Sequence, residues 1–299
     1  MRHPLKVWRD TADHLSPLRI IALACLAFPL AKAAFEFNDI THGARPLDNL
    51  IHRAGFWALV CLLVALAVTP LRRIARFNLL LDVRRMIGVA AFFYAAAHIS
   101  LFIVDQMFDL RKVATEIIFR VYLTIGFVAL LGLTALAVTS TDGMVRRLGV
   151  KRWQRLHQAV YVIGILALIH YFQQTKADVT VPTFVAGLYG LMIGYRLLIK
   201  SRQSRDEPPT WMLLALSVVV SALTFICEAV GLGIVFRVSP WRVLQTAFDF
   251  ELDAIRPGWL VLVAGLLVTL LDFIRARYAK PRRAARTSRA TLAPSKPAA

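Results

Sequence analysis

The sequence predicts an all-α fold, a polytopic transmembrane helical bundle of about eight spans, and three observations carry that expectation. First, 58% of the 299 residues are hydrophobic and the mean hydropathy is +0.61, whereas a soluble domain is about 45–50% apolar. Second, the apolar residues stand in long blocks, and about 20 of them in helical form cross a bilayer. Third, the net charge of +18 sits mainly in short segments between blocks, alternating with acidic connections. That is the positive-inside pattern of membrane topology. The same distribution argues against nucleic-acid binding, which needs basic residues gathered on one accessible face.

In chain order, the first block covers about residues 18–37, after a leader with Arg2, Lys6 and Arg9. Ala31-Lys32-Ala33 has the small-residue spacing of a signal cleavage site, but further apolar blocks follow it, so the block reads as a span. Seven more lie at about 54–70, 86–104, 121–139, 157–172, 182–199, 211–235 and 257–274. The blocks at 54–70 and 157–172 are short for a crossing. Arg72, Arg73, Arg76, Arg84 and Arg85 separate blocks two and three; Arg146, Arg147, Lys151, Arg152 and Arg155 separate four and five; Arg196, Lys200, Arg202 and Arg205 surround the junction of six and seven. The opposite connections hold Asp39, Asp48, Asp105, Asp109, Glu116, Asp178, Asp249, Glu251 and Asp253. Both termini are therefore expected on the cytoplasmic side.

The polar stretch KSRQSRDEPPT (200–210) marks a boundary. The expected organisation is a six-span unit over 1–200, a two-span extension over 201–280 and a basic, disordered tail over 281–299 that lies beside membrane lipid. In the extension, Glu228 sits inside an apolar block. A carboxylate there reads as a proton path or, more readily, as one half of a pair with a neighbouring helix. The loop 237–256, with Trp241, Arg242, Phe248, Asp249, Phe250 and Glu251, reads as a solvated connection with interfacial aromatics, or else a short interfacial helix or partner contact. Cys25, Cys61 and Cys227 form no CxxC and read as small apolar residues.

Seven histidines remain to be placed. His3 and His14 belong to the leader; His42 and His52 lie in or near the first outer connection, and His52 reads as joining the outer site, binding a partner or, more readily, facing water. His98 stands 12 residues into the third block, about 18 Å deep at helical rise, and His170 stands near the outer end of the fifth. The pair is expected at similar depth on antiparallel helices of one bundle. Two imidazoles facing each other in that way form an axial site for heme iron; the plainer reading is that each is a hydrogen-bonded packing residue. Ala95, Ala96 and Ala97 before His98 suit either a flat macrocycle or ordinary close helix packing. His157, at the cytoplasmic end of the fifth block, is 13 residues from His170. At about 100° per residue the two point about 140° apart, so a shared direction needs a distorted helix or separate partners. Arg85, not a histidine, stands 13 residues before His98, which leaves His157 without an obvious opposite ligand.

The stretches HRAGFWALVCLLVALAVTPLRR (52–73), RRMIGVAAFFYAAAHIS (84–100) and TSTDGMVRRLGVKRWQRLHQAVYVIGILALIHYF (139–172) resemble the MsrQ (YedZ) family. Its members are heme-binding membrane subunits of a periplasmic methionine sulfoxide reductase system, within the ferric-reductase-like transmembrane group. The resemblance spans about residues 15–200 and implies that His98, His157 and His170 stand at heme-ligand positions. His98 and His170 would be the outer axial pair, and His157 an inner ligand or cofactor-orienting residue. It further implies heme b and FMN as cofactors, a cytoplasmic flavin reductase or membrane quinone as donor, and a periplasmic molybdopterin catalytic subunit (MsrP-like) as acceptor. The site would be the bacterial inner membrane. The protein would supply electrons and leave sulfoxide chemistry to its partner. Neither GxGxxG nor GxxxxGK[ST] occurs, in keeping with an external electron source. The basic loop 146–155 with Trp153 reads as a docking surface, a flavin-phosphate contact, or simply a topology signal. Three rival functions stay open: a ferric or quinone-linked reductase with another acceptor, a cofactor-free transporter using the histidines and Glu228, and a structural membrane scaffold that needs none of the three histidines.

Overall fold

The computed structural model describes residues 16–35, 46–175, 178–202, 208–249 and 255–278. His3, His14, Asp39, His42, Arg205, Phe250, Glu251, Asp253 and the basic tail lie outside the described residues. Every regular element among those described is helical. In order they are α1 (Pro17–Phe35), α2 (Pro46–Ala75), α3 (Leu80–Asp105), α4 (Leu110–Phe119), α5 (Val121–Val138), α6 (Asp142–Leu148), α7 (Val150–His157), α8 (Val160–Gln174), α9 (Thr180–Ser201), α10 (Thr210–Phe236), α11 (Pro240–Gln245), a 3₁₀ turn (Thr246–Phe248) and α12 (Pro257–Tyr278). Among the described residues eight segments are long and apolar enough to cross a membrane, with α7 and α8 together counting as one.

Two expectations about these segments are corrected. The second span is not short: α2 has 30 residues. Its polar first turns, including His52 bonded to the Asp48 carbonyl at 2.7 Å, continue the helix beyond the apolar block. The fifth span is lengthened likewise by polar α7. The helix is interrupted at Gln158–Ala159, where Ala159 N–H bonds the Leu156 carbonyl and Tyr161 N–H the Gln158 carbonyl. These three-residue closures tighten the turn. A third feature, α4, falls in a stretch read only as an acidic connection. Asp109 caps it by accepting from Lys112 N–H at 2.9 Å.

The helix at the centre is α2, apolar nearly all round its middle, as expected of a helix buried on several sides. Ala58, Cys61, Leu62, Ala65 and Val68 pack with Val83, Ile87, Ala91 and Tyr94 of α3, Ala129, Leu133 and Leu136 of α5, and Ile163 of α8. On its other side Leu59, Leu63 and Leu66 meet Leu168, Val185 and Tyr189. α1 rests on α3, where the Tyr94 hydroxyl donates to the Leu26 carbonyl at 2.7 Å, in the turn that Pro29 loosens. The last two spans pair chiefly with each other and lean on α9 and the end of α2. A lipid-exposed outer surface accounts for the many uncovered leucines, valines and phenylalanines.

Candidate heme-ligand site

His98 and His170 come together at one end of the core, their ring centroids 6.1 Å apart and their planes 82° to one another. The helices that carry them run parallel, which corrects the antiparallel expectation. Near the start of α3, Arg85 pairs with Asp142 of α6 at 2.5 Å. The later residues of α3 and α8 then meet at the histidines, with two crossings restoring the direction between them.

Each imidazole is held in the same manner. His98 Nδ1 donates to the Ile51 carbonyl of α2 at 2.7 Å. His170 Nδ1 donates to the Tyr122 carbonyl of α5 at 2.8 Å. A carbonyl only accepts, so both Nδ1 atoms carry the proton and both Nε2 atoms keep a free lone pair. A second-layer bond of this kind fixes tautomer and ring direction in histidines that bind metal.

Glycines make room for both rings. A Cβ on Gly55 would stand 3.0 Å from His98 Nδ1, and one on Gly126 would stand 2.8 Å from His170 Cε1 and Nδ1. Both helices thus approach the rings so closely that any larger residue must displace an imidazole. Tyr122 also stacks on His170, with centroids 6.5 Å apart and planes at 26°.

The residues present fit a heme iron. The donor set is two neutral imidazoles, as in bis-histidine electron carriers. With their ring centroids 6.1 Å apart, His98 and His170 would be the residues that hold the iron of a bound heme. Among the described residues no group of three or more His, Cys, Asp or Glu gathers as an alternative metal site.

His157 stands apart from this pair. It ends α7, stacks on Trp153 at 3.9 Å between centroids, and donates from Nδ1 to the Trp153 carbonyl at 3.1 Å. Its Nε2 lies 3.3 Å from Ser140 Oγ, a hydroxyl that donates to the Leu136 carbonyl at 2.7 Å. The Trp153 indole in turn donates to the Thr139 carbonyl at 2.9 Å. His52 is exposed at the start of α2. Glu228, 4% exposed, has its partner in Arg256, at 3.1 Å. Sequence reasoning missed Gly55, Gly126 and the two carbonyls; only the glycines left a trace, as small residues interrupting apolar runs.

The chain matches the family described as ferric reductase like transmembrane component over residues 54–168, which takes in His98 and His157. It is 42% identical over 195 residues to the protein-methionine-sulfoxide reductase heme-binding subunit MsrQ of Rhodospirillum rubrum, covering 65% of this chain and 93% of that relative. The similarly named proteins of Xanthomonas campestris pv. campestris and Herminiimonas arsenicoxydans are 40% and 37% identical, over 62% of this chain and 84% and 88% of their own lengths. No solved structure matches.

Proposed function

Given that this chain belongs to the MsrQ family of heme-binding subunits, a family of multi-pass membrane proteins, we propose that it holds a b-type heme between His98 and His170 and carries electrons across the bacterial inner membrane. The observation that carries the reading is the tethered pair: two imidazoles at 6.1 Å, each with Nδ1 fixed by a backbone carbonyl and Nε2 free. Heme bound there supplies a one-electron carrier that needs no proton transfer from its ligands. The chain's own part is to hold both ligands rigidly, so that little rearranges between oxidation states. Ile51 and Tyr122 orient the rings, while Gly55 and Gly126 let α2 and α5 close around them.

Positive-inside orientation supports cytoplasmic termini, with the histidine pair in the outer half and His157 toward the cytoplasm. The proposed donor is a cytoplasmic flavin reductase or membrane quinone. The proposed acceptor is a periplasmic molybdopterin subunit, MsrP-like, that reduces methionine sulfoxide in oxidised proteins. His157 is assigned to an inner ligand or cofactor-orienting role: its Nδ1 is tied to the Trp153 carbonyl, and because the Ser140 hydroxyl donates to the Leu136 carbonyl, its Nε2 keeps its lone pair. The proposed FMN would set its phosphate against the basic α6–α7 hairpin, where Arg146, Arg147, Lys151 and Arg152 could hold it. The division into a heme unit over 1–200, an extension over 201–280 and a basic tail is kept as part of this proposal. The relatives support it in extent, since their match to this chain is about as long as the heme unit.

The test is a reduced-minus-oxidised absorption spectrum of the full chain purified with ample heme, beside His98→Ala and His170→Ala. A b-type spectrum lost or altered in both variants is expected. A colourless wild-type protein would overturn the reading and favour a transporter.

A further inference from the structure

The outer histidine is tied to a surface that the proposed function leaves unused. α4 leads into α5 through a single residue, Arg120. Its guanidinium makes a two-pronged pair with Glu116 of α4, Nε to Oε2 at 2.5 Å and Nη2 to Oε1 at 3.1 Å. The third prong, Nη1, donates to the Tyr122 hydroxyl at 3.2 Å. Tyr122 is also the residue whose carbonyl holds His170 Nδ1 and whose ring lies along the imidazole. α4 is fastened at a second point, where Thr124 Oγ1 donates to the Ile117 carbonyl at 2.5 Å. A fork held on two edges has far less freedom than an ordinary surface ion pair.

We propose that Arg120 is a positioning residue for the heme ligand: it clamps α4 to Tyr122 and so fixes the plane and the Nδ1 hydrogen bond of His170. The inference rests on the heme reading and deepens it. A firm Nδ1–H···O=C bond makes the imidazole a more basic ligand, which favours the oxidised metal and holds the potential down. Loosening the clamp weakens that bond, so the potential rises. α4 thereby becomes the point at which contact from outside the membrane reaches the iron.

The charge of Arg120 is a competing cause, because removing a cation near the heme lowers the potential. Charge-preserving variants separate the two. Arg120→Lys keeps the cation but loses the fork, and Tyr122→Phe keeps the stacked ring and the carbonyl but loses the hydroxyl. Both are measured in the purified full-length chain, by redox titration of the heme absorbance and by low-temperature electron paramagnetic resonance of the oxidised form. The expected result is an upward shift of midpoint potential in both variants, with altered g-values and wild-type heme content. The double variant should shift no further than the larger single one, since both cut one linkage. Wild-type potential and g-values in Arg120→Lys and Tyr122→Phe would overturn the proposal. So would heme loss with an unchanged signature in what remains, which is the mark of a merely structural role. A colourless wild type would instead sink the heme reading itself.

Discussion

The first six spans and the last two both keep polar side chains inside apolar helices, and one pair of histidines in the first six is treated unlike the rest. In the extension every polar group singled out has its partner close by. Glu228 pairs with Arg256, and Arg256 also donates to Thr246 at 2.6 Å. Thr210 donates to Asp272 at 2.7 Å, and Ser221 donates to the Gly258 carbonyl at 2.8 Å. In the core, His98 and His170 each have one nitrogen tied and one left over. Within hydrocarbon an unused lone pair is costly unless something else takes it up. The contrast therefore separates polar groups that hold helices together from polar groups kept ready for a ligand.

The sharpest way to break that contrast is to remove a histidine. His98→Ala or His170→Ala should abolish the low-spin b-type signal while leaving helix content, by circular dichroism, close to wild type. The next largest effect belongs to the extension. Glu228→Ala strands Arg256 beside the bundle, and breaking a buried pair from one side costs about 3–5 kcal/mol. The lower figure fits better here, because Arg256 keeps 26% exposure. Chemical denaturation in detergent should show that loss, yet the heme spectrum should not change. A spectral change in Glu228→Ala would mean that the two regions are not separate in function.

A smaller effect is expected at the glycines. Gly126→Ala places a methyl 2.8 Å from the His170 ring, and overpacking of this kind costs about 1–3 kcal/mol. The imidazole has to turn or retreat, so heme occupancy should fall and the oxidised spectrum broaden. Gly88→Ala is the control, because its Cβ meets nothing within 4 Å. Equal behaviour of the two variants would show that the close approach around His170 is not what forms the site.

The blocks and histidines are readable in the sequence because membrane crossing imposes a crude rule of length and polarity. Each expected apolar block lies largely within one of the eight crossings, and the similar depth of His98 and His170 comes from counting residues. The hidden features depend on direction and on distant chain. The interruption at Gln158–Ala159 is made by backbone closures with no proline or glycine to announce them. The parallel course of α3 and α8 is available from counting crossings, a step that the antiparallel expectation neglects. α4, LRKVATEIIF, is too short and too charged to show as a span, although its apolar residues have helical spacing. The partner of Glu228 is 28 residues away at the foot of another helix, and the carbonyls of Ile51 and Tyr122 carry no side-chain signal at all.

The smallest expected effect tests how far the extension and the core fold as one. Arg275 of α12 reaches the C-terminal carbonyls of α2, with Nη1 bonding Ile74 O at 2.5 Å and Arg73 O at 3.3 Å, while Nη2 pairs with Asp272 at 3.3 Å. A cation at a helix C-terminus is favourable there, since the last carbonyls lack partners within the helix. Arg275→Ala removes these bonds and leaves Asp272 with Thr210, at a cost of about 1–2 kcal/mol. The same helix α2 carries the Ile51 carbonyl that orients His98, but some 23 residues and several turns away from this junction. The heme spectrum should therefore stay as in wild type. On thermal unfolding followed by amide hydrogen exchange, α10 and α12 should lose protection at a lower temperature than that at which the heme absorbance changes. Coincident transitions with an unshifted midpoint would show that Arg275 adds nothing to the junction, and that packing of α10 and α12 on α9 alone holds the extension to the core.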